Sequence, residues 1–214
     1  MEDIELTNLW KLYDQKLEAS LSLNKTNAKE ITKLKVQSFL ASMKPLKLFT
    51  LLIGIVWVGF VDMIIAGVWH VASPFFLASA AIQSVLTTLA IGIYIYQLIL
   101  IHNTDSSEPI VATQEKIARL QTSTLWVTRL LFLQLPVWTT FYWNKSMLAN
   151  GNTGLFVLQA VVTLSFVIAA VWLFINIKYE NRNKKWFGFI FNGKEWNPLI
   201  KSMDLLSQVK EYEA

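Results

Sequence analysis

Hydrophobic and polar positions alternate along this chain on a scale of tens of residues. Four stretches are apolar and near the ~20 helical residues needed to cross a bilayer: 46–69, 74–101, 124–143 and 154–177. The second would reach roughly 42 Å as a helix, so it must tilt or project. The third is the most interrupted, by Arg129, Gln134 and Pro136. Only a few residues around His70–Ser73 join the first two stretches, which predicts a tight antiparallel hairpin.

Outside these stretches the apolar period changes. Leu6, Trp10, Tyr13, Leu17 and Leu21 recur at spacings of three and four, the mark of an amphipathic helix with one apolar stripe. The run Asn24–Asn27 predicts an interruption, and Asn27-Ala28-Lys29-Glu30 resembles a capping box for a second helix. That helix, carrying Ile31, Leu34 and Phe39, is predicted to end before Pro45. The connection after the second apolar stretch opens with the turn-forming NTDSSEP and continues as the helical QEKIARLQTST. The tail KKWFGFIFNGKEWNP mixes aromatic and basic residues as interfacial segments do, and a short amphipathic helix is predicted over 199–209. The expected fold is all-α: an integral membrane four-helix bundle at 46–178, with a cytoplasmic helical segment at 1–45 and a cytoplasmic tail at 179–214.

Composition agrees, with 54% hydrophobic residues, 16% charged and a mean hydropathy of +0.41. Of the 19 Lys and Arg residues, all except Lys145 fall on one side of the predicted topology. That asymmetry predicts cytoplasmic N and C termini in a multi-pass protein of the bacterial inner membrane. Trp69, Trp138, Tyr142 and Trp143 then fall at one membrane boundary, with Trp126, Tyr179 and Trp186 at the other. A pI of 9.2 alone suggests nucleic acid, but topology accounts for the basic excess and no recognition motif accompanies it. The lipid bilayer is therefore the expected partner, and nucleic acid is not. Charge is split near the start: residues 1–20 hold five acids and two lysines, and residues 21–47 one acid and six lysines. The basic half suits anionic headgroups, leaving the acidic half to pack elsewhere. The opening residues lack the apolar core of a cleavable signal peptide.

Candidate chemistry is sparse. With no cysteine, thiol nucleophiles, zinc–thiolate sites and disulfides are excluded. No phosphate-binding, dinucleotide, nucleophile-elbow or metalloprotease motif occurs, so no catalytic, metal or cofactor-binding residue is assigned. His70 and His102 are predicted at opposite membrane faces and share no ligand. Ala80, Ser84, Thr88 and Gly92 form a small-residue stripe on the second apolar stretch; Gly54, Gly59, Ala66 and Gly67 dot the first. Such residues permit close helix approach, within one chain or between the copies of a homo-oligomer. Arg129 is expected to snorkel to the headgroups. Asp62, Gln83, Gln134 and Gln159 lie at similar predicted depths, roughly 7 to 14 Å below the outer boundary. Thr163 lies one turn below Gln159. The four form a candidate intramembrane polar layer. One reading is a hydrogen-bonded structural clasp, which a single acid without a basic partner favours; the other is a proton or ligand site.

The segment LWKLYDQKL with the following LSLN, together with the four-span layout, resembles a group of uncharacterised inner-membrane proteins of Bacteroidota bacteria. Some members look like partners of alternative sigma factors, which implies a membrane-held regulator. This chain lacks the His and Cys pattern of zinc-binding anti-sigma domains. The expected function is a non-enzymatic membrane regulator or accessory subunit, with Leu6, Trp10, Tyr13, Leu17 and Leu21 binding a protein partner in the cytoplasm or membrane. The competing role for that stripe is docking on the chain's own tail or middle loop. The alternative function is a small transporter or channel subunit with a polar intramembrane site around Asp62.

Overall fold

A computed structural model describes residues 2–104, 108–143, 153–191, 193 and 196–213, and every regular element among them is helical. The first helix, α1, runs from Glu2 to Val68, 67 residues without interruption, about 100 Å at 1.5 Å per residue. The break predicted at 24–27 and the stop before Pro45 are absent. Asparagine costs only about 0.7 kcal/mol in a helix relative to alanine, and the Thr26 hydroxyl satisfies itself on the Ser22 carbonyl at 3.0 Å. Pro45 is a larger penalty, roughly 3 kcal/mol. The helix continues through it because Met43 and Lys47 on either side are fully buried and held by neighbouring helices. Packing outweighs the local stop signals.

The second helix, α2 (Pro74–His102), returns antiparallel to α1 through the short connection expected from the sequence. Val71 and Ala72 donate back to the Val68 carbonyl, and Ser73 caps α2 by accepting from the Phe76 amide at 3.1 Å. Pro74 occupies the first turn, where its missing N–H costs nothing. The two helices approach closely at Gly54, where an added Cβ would lie 3.2 Å from Ile91 Cγ1. The predicted small-residue positions Gly59, Gly67 and Gly92 instead face open space.

The third apolar stretch is divided. Helix α3 (Ile110–Leu133) ends at Gln134, and a short α4 (Leu135–Thr140) follows. Pro136 cannot donate to the Phe132 carbonyl, so the chain tightens: Gln134 donates to Leu131 at 3.3 Å and Val137 to Gln134 at 3.0 Å. Helix α5 (Thr153–Asn176), a 3-10 turn (Tyr179–Asn181), α6 (Lys185–Phe191) and α7 (Asn197–Glu213) complete the chain.

Among the described residues, three helices are long and apolar enough to cross a membrane: α1 in its C-terminal part, α2 and α5. Their most apolar stretches are only 6%, 22% and 6% buried, so most of their apolar surface points outward. Such surfaces suit a hydrocarbon solvent and not water. Packing follows chain order, α1 on α2, α2 on α3 and α4, and α3 and α4 on α5.

The densest core lies elsewhere, at the basic end of the molecule. Val36, Leu40 and Met43 of α1 meet Ile117 and Leu120 of α3, with Leu199 and Leu206 of α7 closing over them. The tail aromatics Phe187, Phe191 and Trp196 join this core. Phe187 stacks on Phe191 at 4.2 Å, and Trp196 packs on both at 5.5 and 4.9 Å. Phe189, 91% exposed, stays outside. Loops are stapled by cations: Lys33 donates to the Glu108 carbonyl at 2.6 Å, and Lys116 reaches the Glu108 carboxylate and the Asn103 carbonyl, each at 2.5 Å.

Candidate functional site

The apolar stripe lies on the free end of α1. Leu6, Trp10, Tyr13, Leu17 and Leu21 are 58–67% exposed, and every residue from 6 to 28 is exposed. Helix α7 packs on α1 only further along, around Val36, Leu40 and Met43. Among the described residues, neither the tail nor the middle connection covers the stripe. The stripe is therefore a preformed helical surface that no described side chain of this protein occupies.

The candidate polar layer is distributed over separate helix pairs. Asp62 is exposed and accepts a 2.7 Å hydrogen bond from the Ser84 hydroxyl, joining α1 to α2. The Gln134 amide donates to Thr87 Oγ1 at 3.0 Å, joining the α3–α4 break to α2. The Gln159 amide donates to the Thr139 carbonyl at 2.7 Å, joining α5 to α4. Ser79 and Thr140 add a 2.8 Å contact between α2 and α4. Among the described residues, no hydrogen bond joins two of the four candidates. Gln83, only 2% exposed, makes none, and the Thr163 hydroxyl is buried without a partner.

Arg129 finds its partner within the chain. Its Nε donates to the Ile177 carbonyl at 2.7 Å, and a terminal N–H reaches the same oxygen. The guanidinium lies over Trp126 and Phe174, 5.2 and 5.9 Å from the ring centroids. That carbonyl stands just past the end of α5, where unpaired carbonyls give the helix a partial negative charge that a cation stabilises. Arg129 thus ties α3 to the C-terminal end of α5.

A second polar cluster was not singled out from the sequence. Lys47 is fully buried, and its ammonium donates to Gln97 Oε1 at 2.6 Å. Gln97 in turn donates to Ser123 Oγ at 3.1 Å and Thr124 Oγ1 at 3.5 Å. The Tyr94 ring lies 5.0 Å from the ammonium. One cation thereby joins α1, α2 and α3. In the sequence it is one basic residue among many, but Val36, Leu40, Met43 and Lys47 repeat at spacings of four, three and four. That spacing places Lys47 on the buried face and was the available signal.

Nearby, between α2 and α3, an open groove of about 640 Å³ carries the surface pair Glu115–Arg119, 2.8 Å apart. The hydrogen bond and charge of Glu115 hold Arg119 above its ordinary pKa. No cluster of three metal-ligating side chains occurs among the described residues. Comparison of the chain with protein-family models, curated proteins and solved structures finds no match.

Proposed function

We propose that this chain is a non-enzymatic integral membrane regulator or accessory subunit that presents the N-terminal part of α1 to a protein partner. In this reading the chain spans a bacterial inner membrane four times, as a bundle of residues 46–69, 74–101, 124–143 and 154–177, which lie largely on α1, α2, α3 with α4, and α5. Both termini are cytoplasmic. Three apolar helices and the one-sided placement of Lys and Arg support the topology, and the likeness of LWKLYDQKL to Bacteroidota inner-membrane proteins is consistent with it.

The observation that carries the function is the exposed stripe Leu6–Trp10–Tyr13–Leu17–Leu21, held out on a helix whose base is locked in the core. The occupant is an amphipathic helix of a cytoplasmic protein, with Lys or Arg flanking its apolar face. Residues 1–20 carry five acids against two lysines, so a parallel second copy brings like charges together while a basic helix brings opposite ones. A photoreactive phenylalanine analogue in place of Tyr13 tests this in cells. The expected adduct joins the chain to a different protein, disappears in Trp10→Asp/Leu17→Asp, and forms in lower yield when irradiation is instead done on lysate at raised salt. An adduct at twice the mass of this chain, or an adduct indifferent to both changes, refutes it.

One observation favours the transporter or channel reading. The Asp62 carboxylate faces outward beside Ser84, and an intramembrane acid in that position calls for cover by another subunit or by water. Transport that survives Asp62→Asn at every pH removes the acid from that mechanism.

A further inference from the structure

Gln83 is 2% exposed and has no hydrogen-bond partner among the described residues. It lines a cavity of about 460 Å³ between α1, α2 and α4, open on the side where Phe60, Trp138 and Tyr142 are exposed. The other walls are mainly aromatic: Trp57 and Trp138 lie 6.4 Å apart, and Phe76 meets Phe141 edge to face at 5.5 Å. Ala80, on the same face of α2 one turn earlier, leaves room in front of the amide. None of the lining residues is charged.

An amide left unpaired in an apolar surrounding costs several kcal/mol. The three neighbouring polar positions, Asp62, Gln134 and Gln159, all have partners within the chain. Gln83 is the exception, and it is the one that borders this half-open cavity. We infer that this cavity is a binding site for an uncharged, flat-ringed, membrane-dissolved molecule whose carbonyl accepts a hydrogen bond from the Gln83 amide.

Three features select that class. The volume falls in the range of small-molecule pockets, roughly 300–1,000 Å³. Aromatic walls favour a ring over a saturated chain, through stacked and edge contacts. Depth excludes a phospholipid headgroup: Gln83 lies nine residues into α2, about 13 Å from the Pro74 end along the helix axis. The polar atom that meets it must therefore be carried into the hydrocarbon by a lipophilic ligand. A quinone head has this combination of flat ring, carbonyl and lack of charge. The inference rests on the membrane placement proposed above but not on the partner of α1.

The test uses the full chain in phosphatidylcholine vesicles, titrated with a decyl-substituted benzoquinone while tryptophan emission is followed. Quenching with a saturable component above the linear background of partitioned quinone is expected. Gln83→Leu should weaken that component about tenfold or more, because the ring then loses its only hydrogen bond. The same variant should unfold at an equal or higher temperature, since it removes an unpaired buried amide. Linear quenching identical in both proteins overturns the inference, as does equal competition by n-decane, which would show a chain-filling cavity. A Gln83→Leu protein of clearly lower stability also overturns it, by showing that the amide serves the fold. Failure of the chain to insert into vesicles overturns the membrane placement and this inference together. Insertion with no saturable quenching overturns this inference alone.

Discussion

The buried lysine gives the sharpest test of how the helices are held together. In Gln97→Leu the Lys47 ammonium loses a 2.6 Å charge-assisted hydrogen bond while remaining fully buried. Hydrogen bonds to charged groups contribute about 1.5–3 kcal/mol, and the link from Gln97 to Ser123 adds roughly 0.5–1.5 kcal/mol. The attraction to the Tyr94 ring, 5.0 Å away, survives the change. The expected loss is therefore about 2–4 kcal/mol. Lys47→Met removes the same hydrogen bond but also the buried charge, so its cost should be smaller, about 0–1.5 kcal/mol. The double variant leaves neither a buried cation nor an unmatched amide, and should be at least 1 kcal/mol more stable than the sum of the two single losses predicts. Reversible unfolding in mixed micelles, followed by tryptophan emission, measures all four proteins. Equal losses for the two single variants, or strict additivity in the double, would refute the reasoning.

Arg129→Lys keeps the charge but loses the fork on the Ile177 carbonyl, and should cost about 1–2 kcal/mol in the same unfolding assay. Ser73→Ala removes both the cap on the Phe76 amide and the donor to the Trp143 carbonyl, a loss of about 1–2 kcal/mol. Pro45→Ala should raise stability by about 1–3 kcal/mol, with helical circular dichroism unchanged, because α1 already runs straight through that position. Trp10→Asp/Leu17→Asp should leave the unfolding midpoint of the purified chain within about 0.5 kcal/mol of the parent, since both side chains are exposed.

What the sequence made legible follows from the solvent each segment demands. The apolar stretches, the short turn at His70–Ser73 and the closing amphipathic helix were readable because composition and period state them directly. The continuity of α1 was not. The Asn27-Ala28-Lys29-Glu30 signal is a local preference of about 1 kcal/mol, and a growing helix anchored at Val36, Leu40 and Met43 exceeds it. Rotation was equally invisible. Asp62, Gln83, Gln134 and Gln159 were expected at one depth, but depth does not fix which neighbour a side chain meets, and the three that bond do so across three different helix pairs. Arg129 and Lys47 were read as charges setting topology, while their partners, a carbonyl at the end of α5 and an amide on α2, are far away in sequence. The stripe on α1 was the reverse case: its residues were evident, and only the structure says that no described part of the chain covers them.

The position of the core explains why an uncovered stripe can stay helical. A separate peptide of that length must nucleate its own helix, an unfavourable step that fixes several residues for one hydrogen bond. Residues 6–28 are spared that step, because they continue a helix already ordered at Val36, Leu40, Met43 and Lys47. Each further turn adds hydrogen bonds without a new nucleus, so the stripe is presented in its binding conformation before anything binds. The proposed partner would then meet five apolar side chains in register without having to order their backbone, which removes a part of the entropic cost of association. The same logic links the two ends of the molecule. Loosening the core at Lys47 should fray the stripe, and the affinity of α1 for the proposed partner should fall in Gln97→Leu although that residue lies outside the stripe. Undiminished crosslinking from position 13 in a Gln97→Leu protein shown to be destabilised would mean that the stripe holds its helix independently of the core.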